Sequence, residues 1–219
     1  MSKSNKYGYS GVDIPTQAFK SNVGKFDPAE INELVADNKW TQYGQLELIE
    51  TQTGSGVTSV DFTSIQESTY NVHFMTLNNF GYYEQSQNMG FRFYESGVLE
   101  TAGVYQYAFQ ANEVGGTTGE IRLTTSDLIR LDQTGSQGMT LNSYAYFYNL
   151  GDSSKYSFAT YHSMVERISG GSYATNTGTK FGSGVLPQTS TVNGIRVLTT
   201  GANNLSETYT ISLYGIRYS

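Results

Sequence analysis

The chain has 219 residues, 37% of them hydrophobic, and a formal net charge of -6 from 13 Lys and Arg against 19 Asp and Glu. That balance argues against a nucleic-acid grip, which needs a basic face. The lack of cysteine excludes a disulfide framework, thiolate chemistry and Cys-ligated metal.

The first residues, MSKSNKYGYSG, carry no apolar run of signal-peptide type, and no run of about 18 apolar residues occurs anywhere. The expectation is a soluble product of the cytoplasm with no membrane insertion. Up to Phe26 the large apolar residues stand singly: Tyr7, Tyr9, Val12, Ile14, Phe19, Val23 and Phe26. Their spacing follows neither a period of two nor one of 3.6, so the segment cannot bury enough surface to fold alone and reads as an extended arm. The stretch FDPAEINELVADNKW (26–40) then announces a helix. Asp27 stands at the N-cap, Pro28 at the first helical position, and Glu30 three residues after the cap. Ile31, Leu34 and Val35 make one apolar stripe, predicting a helix over 28–38. So short a helix does not persist in isolation and must dock on something. Trp40, the only tryptophan, is a suitable anchor at the junction.

Residues 1–44 are therefore expected to attach the protein to a partner, through Tyr7, Tyr9, Val12, Ile14, Phe19, Phe26, Ile31, Leu34, Val35 and Trp40. Charge divides near the same place. The first 40 residues hold five of the 13 bases and five of the 19 acids, leaving eight against fourteen in the remainder.

From Gln45 onward the period is two. LELIETQ (46–52) and VTSVDFT (57–63), joined by TGSG, have the pattern of a hairpin. In YNVHFMTL (70–77), Tyr70, Val72 and Phe74 alternate with Asn71, His73 and Met75, which puts His73 on the more polar face. MGFRFYE (89–95), GVYQYAFQAN (103–112) and GEIRLTT (119–125) continue the alternation. MTLNSYAYFYNL (139–150) and KYSFATYHSMVER (155–167) follow, joined by GDSS, and VNGIRVLTT (192–200) and TYTISLYGIRY (208–218) close the chain. About ten short strands at this spacing predict an all-β fold, a jelly-roll-like antiparallel β-sandwich over residues 45–219, preceded by the arm and the one short helix.

Chemistry-bearing residues are few. His73 and His162 fall on different predicted strands without metal-ligand spacing and read as surface or interface histidines. Asp61, Glu84 and Glu166 could pair only if the fold brought them together. No nucleophile elbow, phosphate loop, dinucleotide turn or zinc-protease helix is present. The expectation is a protein that is not an enzyme, with no catalytic residue, cofactor or metal site. In YAYFY (144–148) the tyrosines share one face while Ala145 and Phe147 share the other, so both faces are partly apolar. A strand of that kind sits between layers or at a subunit contact, which makes Tyr146 and Phe147 candidates for an oligomer interface. Its tyrosines are also suited to stacking on sugar rings.

Two pieces of the body, SVDFTSIQESTYNVHFMTL (59–77) and TYTISLYGI (208–216), resemble a β-domain found in virion proteins of tailed bacteriophages. In that family a D-F-x-x-I segment leads into a strand that starts with Tyr, and the chain ends on a strand reading L-Y-G-I. The leader GVDIPTQAFKSNVGKFDPAEINELVADNKW (11–40) looks like a module found in structural proteins of phages of marine cyanobacteria. The resemblance implies a virion structural protein, anchored by its arm to the tail or baseplate and displaying an exterior β-domain for host-surface contact. A capsid or vertex decoration protein is the alternative, and a carbohydrate-binding module a further one. The implied partners are other virion proteins, its own copies in a homotrimer, and a host surface glycan.

Overall fold

The computed structural model describes residues 28–36, 46–81, 88–114, 116, 118–132, 139–167, 178–200 and 208–216. The chain divides into one unit of Met1–Tyr43 with Ser219 and a second unit of Gly44–Tyr218. In the first unit the described residues form one helix, α1 (Pro28–Ala36), and residues 37 and 38 of the expected helix lie outside the described residues. Ile31 and Leu34 are half-buried while Pro28, Asn32 and Glu33 are exposed, as the apolar stripe requires. Tyr7, Tyr9, Val12, Ile14, Phe19, Phe26 and Trp40, with the side chain of Val35, lie outside the described residues.

The second unit is the expected all-β sandwich. Its strands are β1 (Leu46–Gly54), β2 (Ser59–Phe62), β3 (Val72–Gly81), β4 (Met89–Glu95), β5 (Val98–Leu99), β6 (Tyr105–Glu113) and β7 (Thr118–Ser126). There follow β8 (Ile129–Arg130), β9 (Met139–Tyr148), β10 (Ser157–Arg167), β11 (Gly178–Leu186), β12 (Val192–Thr199) and β13 (Tyr209–Ile216). The large sheet has the order β1-β13-β3-β9-β10-β11-β6-β7. The small sheet runs β2-β12-β4-β5, with β8 also paired to β4. All pairings are antiparallel.

The hairpin expected from LELIETQ and VTSVDFT does not form. β1 pairs with β13 and β2 with β12, so the TGSG loop is a corner between sheets, where Gln52 Nε2 donates to the Asp61 carbonyl at 2.6 Å. The chain thus closes on itself, its first two strands each held by one of its last two. The two runs joined by GDSS pair as a hairpin of β9 and β10, with Tyr148 opposite Phe158.

The core fills the space between the sheets. Phe62, Phe91, Phe93, Ile195 and Val197 of the small sheet meet Met75, Leu77, Phe147, Ile211 and Leu213 of the large one. Phe147 stands edge-on to Phe91 and Phe93, with ring centroids 5.0 and 6.0 Å apart. Each side chain buried to this degree contributes roughly 1.5–3 kcal/mol by leaving water. A register shift after Leu77, with Asn79 at φ 56°, lets Leu77 and Phe80 both face inward.

Gly215, in the second of the two motif-bearing pieces, lies opposite His73 of the first. A Cβ on Gly215 would fall 2.3 Å from the Tyr70 ring, so only glycine lets β13 pass beneath that tyrosine. The Tyr70 hydroxyl donates to Glu47 at 2.7 Å.

β3 reverses the expected assignment of its faces. His73, Met75 and Leu77 point into the core, and Phe74 and Thr76 point outward. His73 is fully buried rather than at the surface, and its Nε2–H donates to the Ile65 carbonyl at 2.7 Å. Nδ1 faces no hydrogen-bond partner among the described residues, and the Tyr70 ring stands edge-on 6.0 Å away. Burial lowers the pKa below the ordinary value near 6.5, against the upward pull of the Ile65 hydrogen bond and of the Glu67 charge. Below about pH 6.5 the unfolded chain therefore takes up a proton that the folded chain refuses. Stability present above that pH is expected to fall as the pH drops toward the folded value, by at most about 1.4 kcal/mol per unit from this group. Urea unfolding at pH 7.5 and 5.5 checks it. The pH-dependent loss should be smaller in His73→Gln, and an equal loss in both proteins would remove His73 as its source.

Candidate interaction face

Three neighbouring cross-strand rows make up the middle of the outer face of the large sheet. One runs Leu46, Ile216, Val72, Tyr148, Phe158, Val185 and Gln106. The next runs Leu48, Tyr214, Phe74, Tyr146, Thr160, Ser183 and Ala108. The third runs Ser212, Thr76, Tyr144, His162, Phe181 and Gln110. None of these positions is Asp, Glu, Lys or Arg. Where the second and third rows continue onto β7 they meet Arg122 and Glu120.

The face is apolar as well as uncharged. Six of the ten exposed large hydrophobic side chains among the described residues belong to it: Leu46, Leu48, Tyr144, Phe158, Met164 and Phe181. At its centre the Phe74 ring lies 4.7 Å from Tyr146, 6.1 Å from Tyr214 and 6.2 Å from Tyr144. Tyr144 stands at 85° to the His162 ring, 5.7 Å away, its hydroxyl 3.5 Å from Nδ1. A groove of ≈ 390 Å³ runs along Phe74, Asn142, Tyr144, His162 and Met164. A second, of ≈ 380 Å³, follows the small side chains Ala108, Thr160 and Ser183 between Phe158 and Leu123.

The small sheet presents the opposite chemistry. Arg196 grips Asp61 through two hydrogen bonds of 2.6 and 2.8 Å, and the Tyr94 hydroxyl donates to the same carboxylate at 2.9 Å. Burial works to raise the Asp61 pKa, but the hydrogen bonds from Arg196 and Tyr94 and the guanidinium charge hold it below the usual value. Directly across from Arg196 stands Arg92, which pairs with Asp127. Each guanidinium thus has its own carboxylate, and this face is suited to water.

Phe147 is removed from any subunit contact, because the small sheet already covers it. Tyr146 stays on the outer face, between Phe74 and Thr160. His162 shares that face, on the other side of the sheet from His73, so the two cannot hold one metal. Among the described residues no group of three His, Asp or Glu is placed to ligate an ion. Asp61 is committed to Arg196, while Glu84 and the side chain of Glu166 lie outside the described residues. Sequence reasoning passed over Phe74, Met164 and Phe181. A tally of apolar residues at the outward parity of each strand would have found them.

No protein-family model matches the chain, and no curated protein matches it. Among solved structures, a fructofuranosidase from Schwanniomyces occidentalis aligns at 7% identity and TM-score 0.17, over 78% of this chain and 34% of its own. The chain thus spans about a third of that enzyme's length. A protein of unknown function from Shewanella oneidensis MR-1 aligns at 9% identity and TM-score 0.17, over 90% of this chain and 98% of its own. Neither likeness carries an argument about fold or function.

Proposed function

We propose that the protein is a structural component of a phage particle. Its leader attaches to the tail or baseplate and its β-sandwich is displayed outside. The observation that carries an assembly role is the outer face of the large sheet, an uncharged aromatic surface on a rigid two-layer frame. Exposed apolar side chains gathered on one face, with charge absent from the rows between them, mark a protein contact. The phage setting is supported by the resemblance of residues 11–40, 59–77 and 208–216. A capsid or vertex decoration protein would have the same build.

Removing residues 1–26 is expected to leave the β-sandwich folded by circular dichroism while abolishing incorporation into particles. Truncated protein that co-purified with particles at normal stoichiometry would refute the anchoring role. Electron microscopy of particles with a labelled β-domain would separate tail from capsid.

A carbohydrate-binding reading has one observation in its favour. A polar cleft of ≈ 520 Å³ opens at the end of the sandwich between the loops carrying Glu67, Asn71, Asn149 and Asp152. Binding on a glycan array that is lost in Asn71→Ala would support it.

A further inference from the structure

We infer that the uncharged outer face of the large sheet is a contact between two copies of this chain, packed sheet on sheet. The inference rests on the assembly reading above and names its partner.

Charge selects a copy of the chain as the occupant. Each chain carries a formal charge of -6, so two copies repel wherever their acidic surfaces approach. The three rows from β1 to β6 contain no charged residue, which makes them the surface through which identical chains meet without opposing like charges. A basic or acidic partner would be better served by complementary charge, and the three rows offer none.

Area gives the same answer. The seven strands from β1 to β6 lie ~4.8 Å apart and the three rows ~6.8 Å apart, so the face covers on the order of 30 Å by 20 Å. Two such faces pressed together remove on the order of 1,200 Å² from water, the lower end of the range for stable interfaces. Its centre holds Phe74, Tyr144, Tyr146 and Tyr214, the aromatic type that carries most interface energy. Sheets pack face to face at about 10 Å, which leaves room for these rings to interdigitate.

Shape sets the symmetry. One face meeting its own copy closes in a two-fold pair. A three-fold ring, the number implied by the resemblance, needs two different patches on each subunit. The described surface supplies one uncharged aromatic patch, on the large sheet, and a charged one on the small sheet.

Sedimentation velocity on the full chain from about 5 to 50 µM tests the inference, since that range spans the affinities of modest interfaces. Wild type is expected as a species of twice the 24.1 kDa chain mass. Tyr146→Lys and Phe181→Lys, from different rows, should each weaken association by about tenfold or more. Val98→Lys, an exposed apolar position on β5 of the small sheet, should leave it unchanged. Thermal unfolding of each variant confirms the fold, and either row variant suffices if the other fails to fold. A wild-type monomer, a trimer, or association untouched by both row variants overturns the inference. So does a monomer that associates only after residues 1–26 are removed, which would show the leader covering the face. These outcomes are read on isolated protein, so the contact can fail while particle incorporation stands, and the reverse.

Discussion

Asp132→Ala is expected to cost about 3–5 kcal/mol of stability, because it leaves the Lys180 ammonium uncompensated inside the sandwich. Lys180 Nζ lies 3.0 Å from Asp132 Oδ1, and each side chain is only 2% exposed. Lys180 sits on the inner face of β11, between Ser163 of β10 and Ala111 of β6. An unpaired charge buried there costs more than any surface ion pair among the described residues contributes. The double variant Asp132→Leu with Lys180→Met should recover most of the loss, since an apolar pair of similar volume carries no desolvation penalty. Urea unfolding of wild type, both single variants and the double variant completes the cycle. A cost below about 1 kcal/mol for Asp132→Ala would mean that the pair is solvated, and the buried arrangement would be wrong.

Phe147→Ala is expected to cost about 3–5 kcal/mol while leaving association unchanged. The ring is fully buried and edge-on to Phe91 and Phe93, so its removal opens a cavity between the two sheets. Tyr146→Lys should behave in the opposite way, with small loss of stability and large loss of association, because Tyr146 points outward from the adjacent position on β9. Thermal unfolding and sedimentation of the two variants side by side give the comparison. If Phe147→Ala dissociated the protein without destabilising it, the inner and outer faces of β9 would have to be exchanged.

YAYFY alone predicted a strand with apolar groups on both faces, and β9 has them. It did not tell which face the chain covers for itself. That depends on β4, some 50 residues earlier, whose Phe91 and Phe93 close over Phe147. His73 was misplaced for a related reason. Its strand alternates Val72 and Phe74 with His73 and Met75, and hydrophobicity favoured the first set. The fold buries the second, because the Ile65 carbonyl offers the histidine a hydrogen bond inside the core.

What the amino-acid order settled by itself is local. A helix beginning at Pro28 and the period-two strands follow from side-chain spacing within a few residues. What only the tertiary structure decided is long-range: β1 beside β13, β2 beside β12, and Asp132 beside Lys180. The uncharged outer face belongs to the same class, since each row draws one residue from each of several strands scattered from Leu46 to Ile216. Alternation assigns a residue to one of two faces, but the partner strand and the covering layer assign that face to core or to solvent. Those partners are chosen by the packing of the whole chain, which no single stretch encodes.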